Sequence, residues 1–109
     1  MLVLQAVPVS GADAYKLLRG RIRAASTWTW GNKKRTRLKH IQRPHGGYIR
    51  ISDAGGVLVA HVHSTTTRDQ FYLAEKCIGR LIAWFENDLM TINMQFVSAP
   101  VKPARRKRR

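Results

Sequence analysis

His61 and His63 stand two apart in a segment, residues 57–63, whose apolar residues alternate with them. Successive side chains of a strand point to opposite faces, so the two imidazoles project from the same side. A pair of this kind can supply two ligands of a metal site, with His40 or His45 as a third. The chain offers no cysteine pair and no carboxylate run beside them, so the shell is incomplete and no metal is expected. Without a metal, the same pair adds positive charge to its face on protonation near pH 6.5.

Other reactive residue types have structural explanations. Cys77 falls within the apolar arc of a helix-period segment, where it reads as a small core residue and not a nucleophile. Asp53 belongs to a turn and Asp69 to a helix cap, so neither is placed for acid–base work. Tyr48, Arg37 and Arg50 have the chemistry to hold a phosphorylated ligand, but no glycine-rich loop joins a strand to a helix near them. No reaction is identified, the balance lies against an enzyme, and no cofactor is expected.

Charge says more. The 109 residues carry 20 Lys and Arg against 6 Asp and Glu, a formal net charge of +14. Every charged residue between Asp13 and Asp53 is basic. Such a field attracts polyanions, with nucleic acid first and an anionic membrane or acidic protein surface behind it. The density peaks in residues 32–43, which include Lys33, Arg35, Arg37, Lys39 and Arg43. It returns at the end of the chain in Arg105, Arg106, Lys107, Arg108 and Arg109.

The elements that must position these groups follow from periodicity and turn chemistry. Residues 2–7 predict a strand apolar on both faces, ended by Pro8. Ser10 and Asp13 have capping-box spacing, which predicts a helix from about residue 11 to 25, with Ala14, Leu18 and Ile22 on one arc and Lys16, Arg19 and Arg23 on another. Trp28 and Trp30 share a face if their segment is extended, as core anchors or as stacking platforms. Residues 33–41 predict a strand with Arg35, Arg37 and Lys39 on its wet side. Turns at 44–47 and 53–56 then set off strands at 48–52 and 57–63, giving a three-stranded meander. Thr66 and Asp69 introduce a second helix over 67–87, broadly apolar and fit to cover a sheet. Gly79 and Ala83 on its other side suit docking of the first helix, a dimer contact, or no role at all. Met90, Ile92, Met94 and Phe96 alternate in a last, half-buried strand.

This order, β-α-β-β-β-α-β, predicts a single small α+β domain over residues 1–98, antiparallel or mixed, with both helices on one face. It is close to a ferredoxin-like plan with one extra strand, and a disordered basic tail follows over 99–109. The uncovered sheet face would carry Tyr48, Arg50, His61, His63, Thr91, Asn93 and Gln95, with Arg35, Arg37 and Lys39 at its edge. Aromatic rings beside guanidinium groups suit single-stranded nucleic acid, RNA ahead of DNA. The expected contacts are Lys33, Arg35, Arg37, Lys39, Arg43, Tyr48, Arg50, His61 and His63, with the five basic tail residues for capture. Residues 47–51 lack the further aromatics of the RNA-recognition-motif pattern, and no family signature is complete. The alternative is an interaction protein that forms a homodimer, or docks a partner, through the second helix or an edge strand. One cysteine excludes an internal disulfide, and no apolar run approaches the roughly 20 residues of a membrane span, so a cytoplasmic protein is expected.

Overall fold

The computed structural model describes residues 2–43 and 45–97. In chain order it contains β1 (Leu2–Pro8), α1 (Ala14–Ile22), β2 (Trp28–Trp30), β3 (Arg37–His40), β4 (Tyr48–Ala54), β5 (Val57–His63), α2 (Thr67–Phe85) and β6 (Leu89–Phe96). The strands form one open sheet in the order β2-β3-β4-β5-β1-β6, and every neighbouring pair is antiparallel. Among the described residues this is a small α+β domain of two helices and a six-stranded antiparallel sheet that does not close on itself.

Local chemistry explains the strongest elements. The Thr66 hydroxyl accepts from the Asp69 amide and donates to the Asp69 carboxylate, both at 3.1 Å, so the cap foreseen from their spacing forms. From that start Leu73, Ala74, Cys77, Leu81 and Phe85 are buried along α2. Ala54 and Val57 face each other across Gly55 and Gly56, whose φ angles of 66° and 91° make the tight two-residue turn that joins β4 to β5. The core lies between one face of the sheet and both helices. Leu2, Leu4 and Ala6 of β1, Ile49 and Ile51 of β4, and Leu58, Ala60 and Val62 of β5 meet the buried positions of α1 and α2. Each large aliphatic residue buried there contributes roughly 1.5–3 kcal/mol.

Several expectations change. The first helix begins at Ala14, not near residue 11, because Gly11 adopts φ +87°, outside the helical region. Asp13 is therefore the cap in place of Ser10, and its carboxylate accepts from the Lys16 amide at 3.0 Å. The Ala14 amide donates to the Gly56 carbonyl at 2.9 Å, so the β4–β5 turn fixes where α1 starts.

The predicted strand over 33–41 is shorter, and a strand precedes it that the predicted order lacked. Asn32 causes the difference. Its side-chain oxygen accepts from the Thr36 and Arg37 amides, both at 3.0 Å, and its side-chain nitrogen donates to the Thr36 hydroxyl at 2.8 Å. These bonds fold residues 32–36 into a turn, with Arg35 at φ +58°. They leave Trp28–Trp30 to pair with β3, Trp28 opposite His40 and Trp30 opposite Leu38. The observed order is β-α-β-β-β-β-α-β.

One open alternative is removed and one surface differs from expectation. A side-chain carbon added at Gly79 would meet nothing within 4 Å, so the first helix does not dock there. Met90, Met94 and Phe96 are 65%, 44% and 69% exposed, because β6 is an edge strand and its apolar side extends past the cover of α2. Among the described residues no helix is long and apolar enough to cross a membrane. The basic segment expected over 99–109 lies outside the described residues.

Candidate nucleic-acid interface

The face of the sheet opposite the helices is built from the alternate residues of six strands. Register sets Arg37 opposite Arg50, Arg50 opposite His61, His61 opposite Val3, and Val3 opposite Gln95. Opposed residues of antiparallel strands share a face, so these five make one transverse row about 19 Å long at the usual strand spacing. The row is polarised: two guanidinium groups and an imidazole occupy one end, and an amide the other. A parallel row runs Ser52, Val59, Gln5 and Asn93.

Beside the cationic end is an aromatic group. Tyr48 and His63 are cross-strand partners whose rings stack at 4.9 Å with 18° between their planes. The Arg37 guanidinium lies 4.7 Å from the Tyr48 ring centroid, and the His61 and His63 rings are 6.5 Å apart. Arg37, Tyr48 and His63 thus form a continuous stack across β3, β4 and β5. Their positions require Gly47, whose φ is +109° and where any side-chain carbon would collide with the His63 carbonyl oxygen. A hollow of about 300 Å³ opens beside this stack, lined by His45, Gly47, Tyr48, His63, Ser64 and Thr65.

Burial, followed by the neighbouring His61, Arg50 and Arg37, lowers the His63 pKa below its ordinary 6.5. His63 is therefore neutral at neutral pH and gains its charge at a lower pH than composition implies. The Nδ1 atom of His61 is buried and has no hydrogen-bond partner among the described residues.

Of the residues expected at the site, Tyr48, Arg50, His61, His63, Arg37 and Lys39 share the open face. Lys39 lies opposite Thr29, with its aliphatic stem over Gly31, where a side-chain carbon would sit 3.1 Å from Lys39 Cγ. Thr91, Asn93 and Gln95 occupy the far side of the same face, on β6. Lys33 and Arg35 leave the row, since both lie exposed in the Asn32 turn. Arg43 is on the helix side: its guanidinium pairs with Asp69 at 3.0 Å and lies 4.3 Å from the Tyr72 ring centroid. The residues from 105 to 109 lie outside the described residues.

His40 is not a neighbour of His61 and His63. It faces the core, 2% exposed, with its ring edge-on to Trp28 and Tyr72 at 4.8 and 5.2 Å. Its Nδ1 accepts from the Gln42 amide at 3.3 Å, and burial, then Lys76, Arg80 and Arg43, lowers its pKa. Among the described residues no three His, Cys, Asp or Glu side chains converge as metal ligands. Burial also pushes the Cys77 thiol up to about 12, which leaves it unreactive as a nucleophile.

Val3 and Gln5 were absent from the expected face because the sequence places β1 in no particular neighbourhood. The one available signal was Gln5 itself, a polar residue interrupting an apolar strand. No family model, curated protein or solved structure matches the chain.

Proposed function

We propose that this protein binds single-stranded nucleic acid, RNA in preference to DNA, across the open face of its sheet. One observation supports the reading: the Arg37, Arg50 and His61 row adjoins the Arg37, Tyr48 and His63 stack on a face that, among the described residues, no helix covers. Phosphates pair with the guanidinium groups, and a base adds to the stack on its solvent side. Lys39 and the exposed Lys33 and Arg35 extend the field that draws the strand in, and the basic residues 105–109 add to capture. Arg43, held by Asp69, contributes field and no direct contact. The role is binding without catalysis, in the cytoplasm.

We also read the plan as a ferredoxin-like variant. The supporting observation is that β1, α1, β4, β5, α2 and β6 follow a β-α-β-β-α-β order, with β2 and β3 inserted ahead of β4.

The test is titration of labelled single-stranded RNA, single-stranded DNA and duplex into nucleic-acid-free protein over a range of salt. The expected result is tightest binding of single-stranded RNA, with log affinity falling linearly against log salt at a slope of about −0.7 per phosphate contact. Absence of affinity at low salt, or affinity indifferent to salt, overturns the proposal.

A further inference from the structure

The sheet has two edges that are built differently. At one edge β2 is three residues long, short enough to give a second sheet little to pair with. At the other, β6 offers eight residues without a charge or a proline, and its one bulge, opposite Val7 and Pro8, lies at the end of the strand. Unprotected edges of this length invite another strand. Beside this edge α2 carries a stripe at spacings of three and four: Arg68, Phe71, Glu75, Ile78, Ile82 and Glu86. Phe71 and Ile82 are 49% and 53% exposed. Two apolar grooves of about 370 and 300 Å³ run between this stripe and the helix-side residues of β6.

We infer that this surface is the interface of a two-fold homodimer, in which β6 pairs antiparallel with β6 of a second copy and the two α2 stripes pack against each other.

The choice of a second copy rests on self-complementarity. A two-fold axis must cross the strand and the helix at the same level, and here it can. Phe71 and Ile78 adjoin Met94 and Phe96 at one end, and Ile82 and Glu86 adjoin Leu89 and Ile92 at the other. The midpoints of strand and stripe therefore lie level with each other. Centred on Asn93, the pairing sets Met94 against Ile92 of the second copy and Thr91 against Gln95, so apolar meets apolar and polar meets polar. Centred near residue 77, the helix pairing sets Phe71 against Ile82 and Arg68 against Glu86, so opposite charges meet at both ends.

Long-range charge agrees. A protein of net charge +14 repels itself over most of its surface. This face carries Glu75 and Glu86 against Arg68 on the helix stripe and no basic residue on β6, while Arg50 and Arg37 lie three and four strands away. The exposed apolar side chains together offer on the order of 600 Å² per copy, about 1,200 Å² for the pair, which reaches the lower bound of a stable interface. Gly79 and Ala83, on another side of α2, take no part. The inference does not depend on nucleic-acid binding, although it would join the two open faces into one twelve-stranded surface.

The experiment is sedimentation equilibrium of the full chain stripped of nucleic acid, at about 1 to 100 μM. The expected result is twice the mass of one chain. Ile82→Arg with Met94→Lys, both at exposed positions, should weaken the association by roughly tenfold or more while circular dichroism stays unchanged. Arg68→Glu and Glu86→Arg should each weaken it, and the two together should restore it to within about twofold, because the exchange returns opposite charges to each contact. A monomer throughout this range overturns the inference. So does a dimer that is indifferent to the Ile82 and Met94 changes or is not restored by the charge exchange. Oligonucleotide titration of the Ile82 and Met94 variant separates the two proposals, since each copy keeps its own open face and per-chain binding should persist.

Discussion

Arg37 and Arg50 stand directly opposite each other across the β3–β4 ladder. Like charges in this position destabilise a sheet by about 0.2–1 kcal/mol, and Arg37 recovers part of that through its contact with Tyr48. Arg50 is the member of the pair without that contact. Arg50→Thr should therefore raise stability by a few tenths to about 1 kcal/mol in urea denaturation. On the proposed function it should also weaken RNA binding and reduce the salt slope by about one contact. Loss of stability together with unchanged binding would contradict this account of the pair.

Gly47 is where the aromatic stack meets the backbone. Gly47→Ala combines an unfavourable φ of +109° with a collision at the His63 carbonyl, so β4 and β5 must part locally. The expected cost is about 3 kcal/mol or more, seen as a lower denaturation midpoint. Gly79→Ala is the control, because a side-chain carbon there meets nothing and helix propensity favours alanine by roughly 1 kcal/mol.

His40 and His63 both have folded-state pKa values lowered below 6.5, with burial as the first cause. The unfolded chain takes up these protons first. Stability is therefore complete above pH 6.5 and is lost as pH falls through 6.5 towards the folded values. Thermal melts should show this decline below pH 6.5. His40→Leu should flatten part of it, at a cost of about 1 kcal/mol at higher pH from the Gln42 amide left without its acceptor. RNA affinity should respond the other way, rising only as pH falls towards the lowered folded value of His63, where that ring gains charge beside the row.

The parts legible in the sequence were those that local chemistry fixes. The Thr66 cap, the helical period from Leu73 to Phe85, the two-glycine turn and the alternation of β4 and β5 each depend on residues near one another. Together they placed Tyr48, Arg50, His61 and His63 on a common face. What escaped depends on distant partners. Trp28 to Trp30 is too short to announce a strand and becomes one only against Leu38 and His40. Arg35 leaves the row because the side chain of Asn32 outweighs the alternation that favoured an extended segment. His40 could not be assigned a face until its opposition to Trp28 was known, and Arg43 is claimed by Asp69, 26 residues away.

The place of β1 in the sheet also bears on how the chain acquires its fold. Strands β2 to β5 are neighbours in sequence as well as in space, so they can form as the chain is made. Strand β1 is completed only later: Leu2 pairs with Val62 on one side and with Phe96 on the other. Within this domain β1 can join the β5 edge once β5 is made, but its second edge waits for β6, the last strand to be synthesised. Addition of β6 to β1 is thus a late step, set by the longest strand-pairing separation among the described residues, and on the ribosome it follows synthesis of all the other strands.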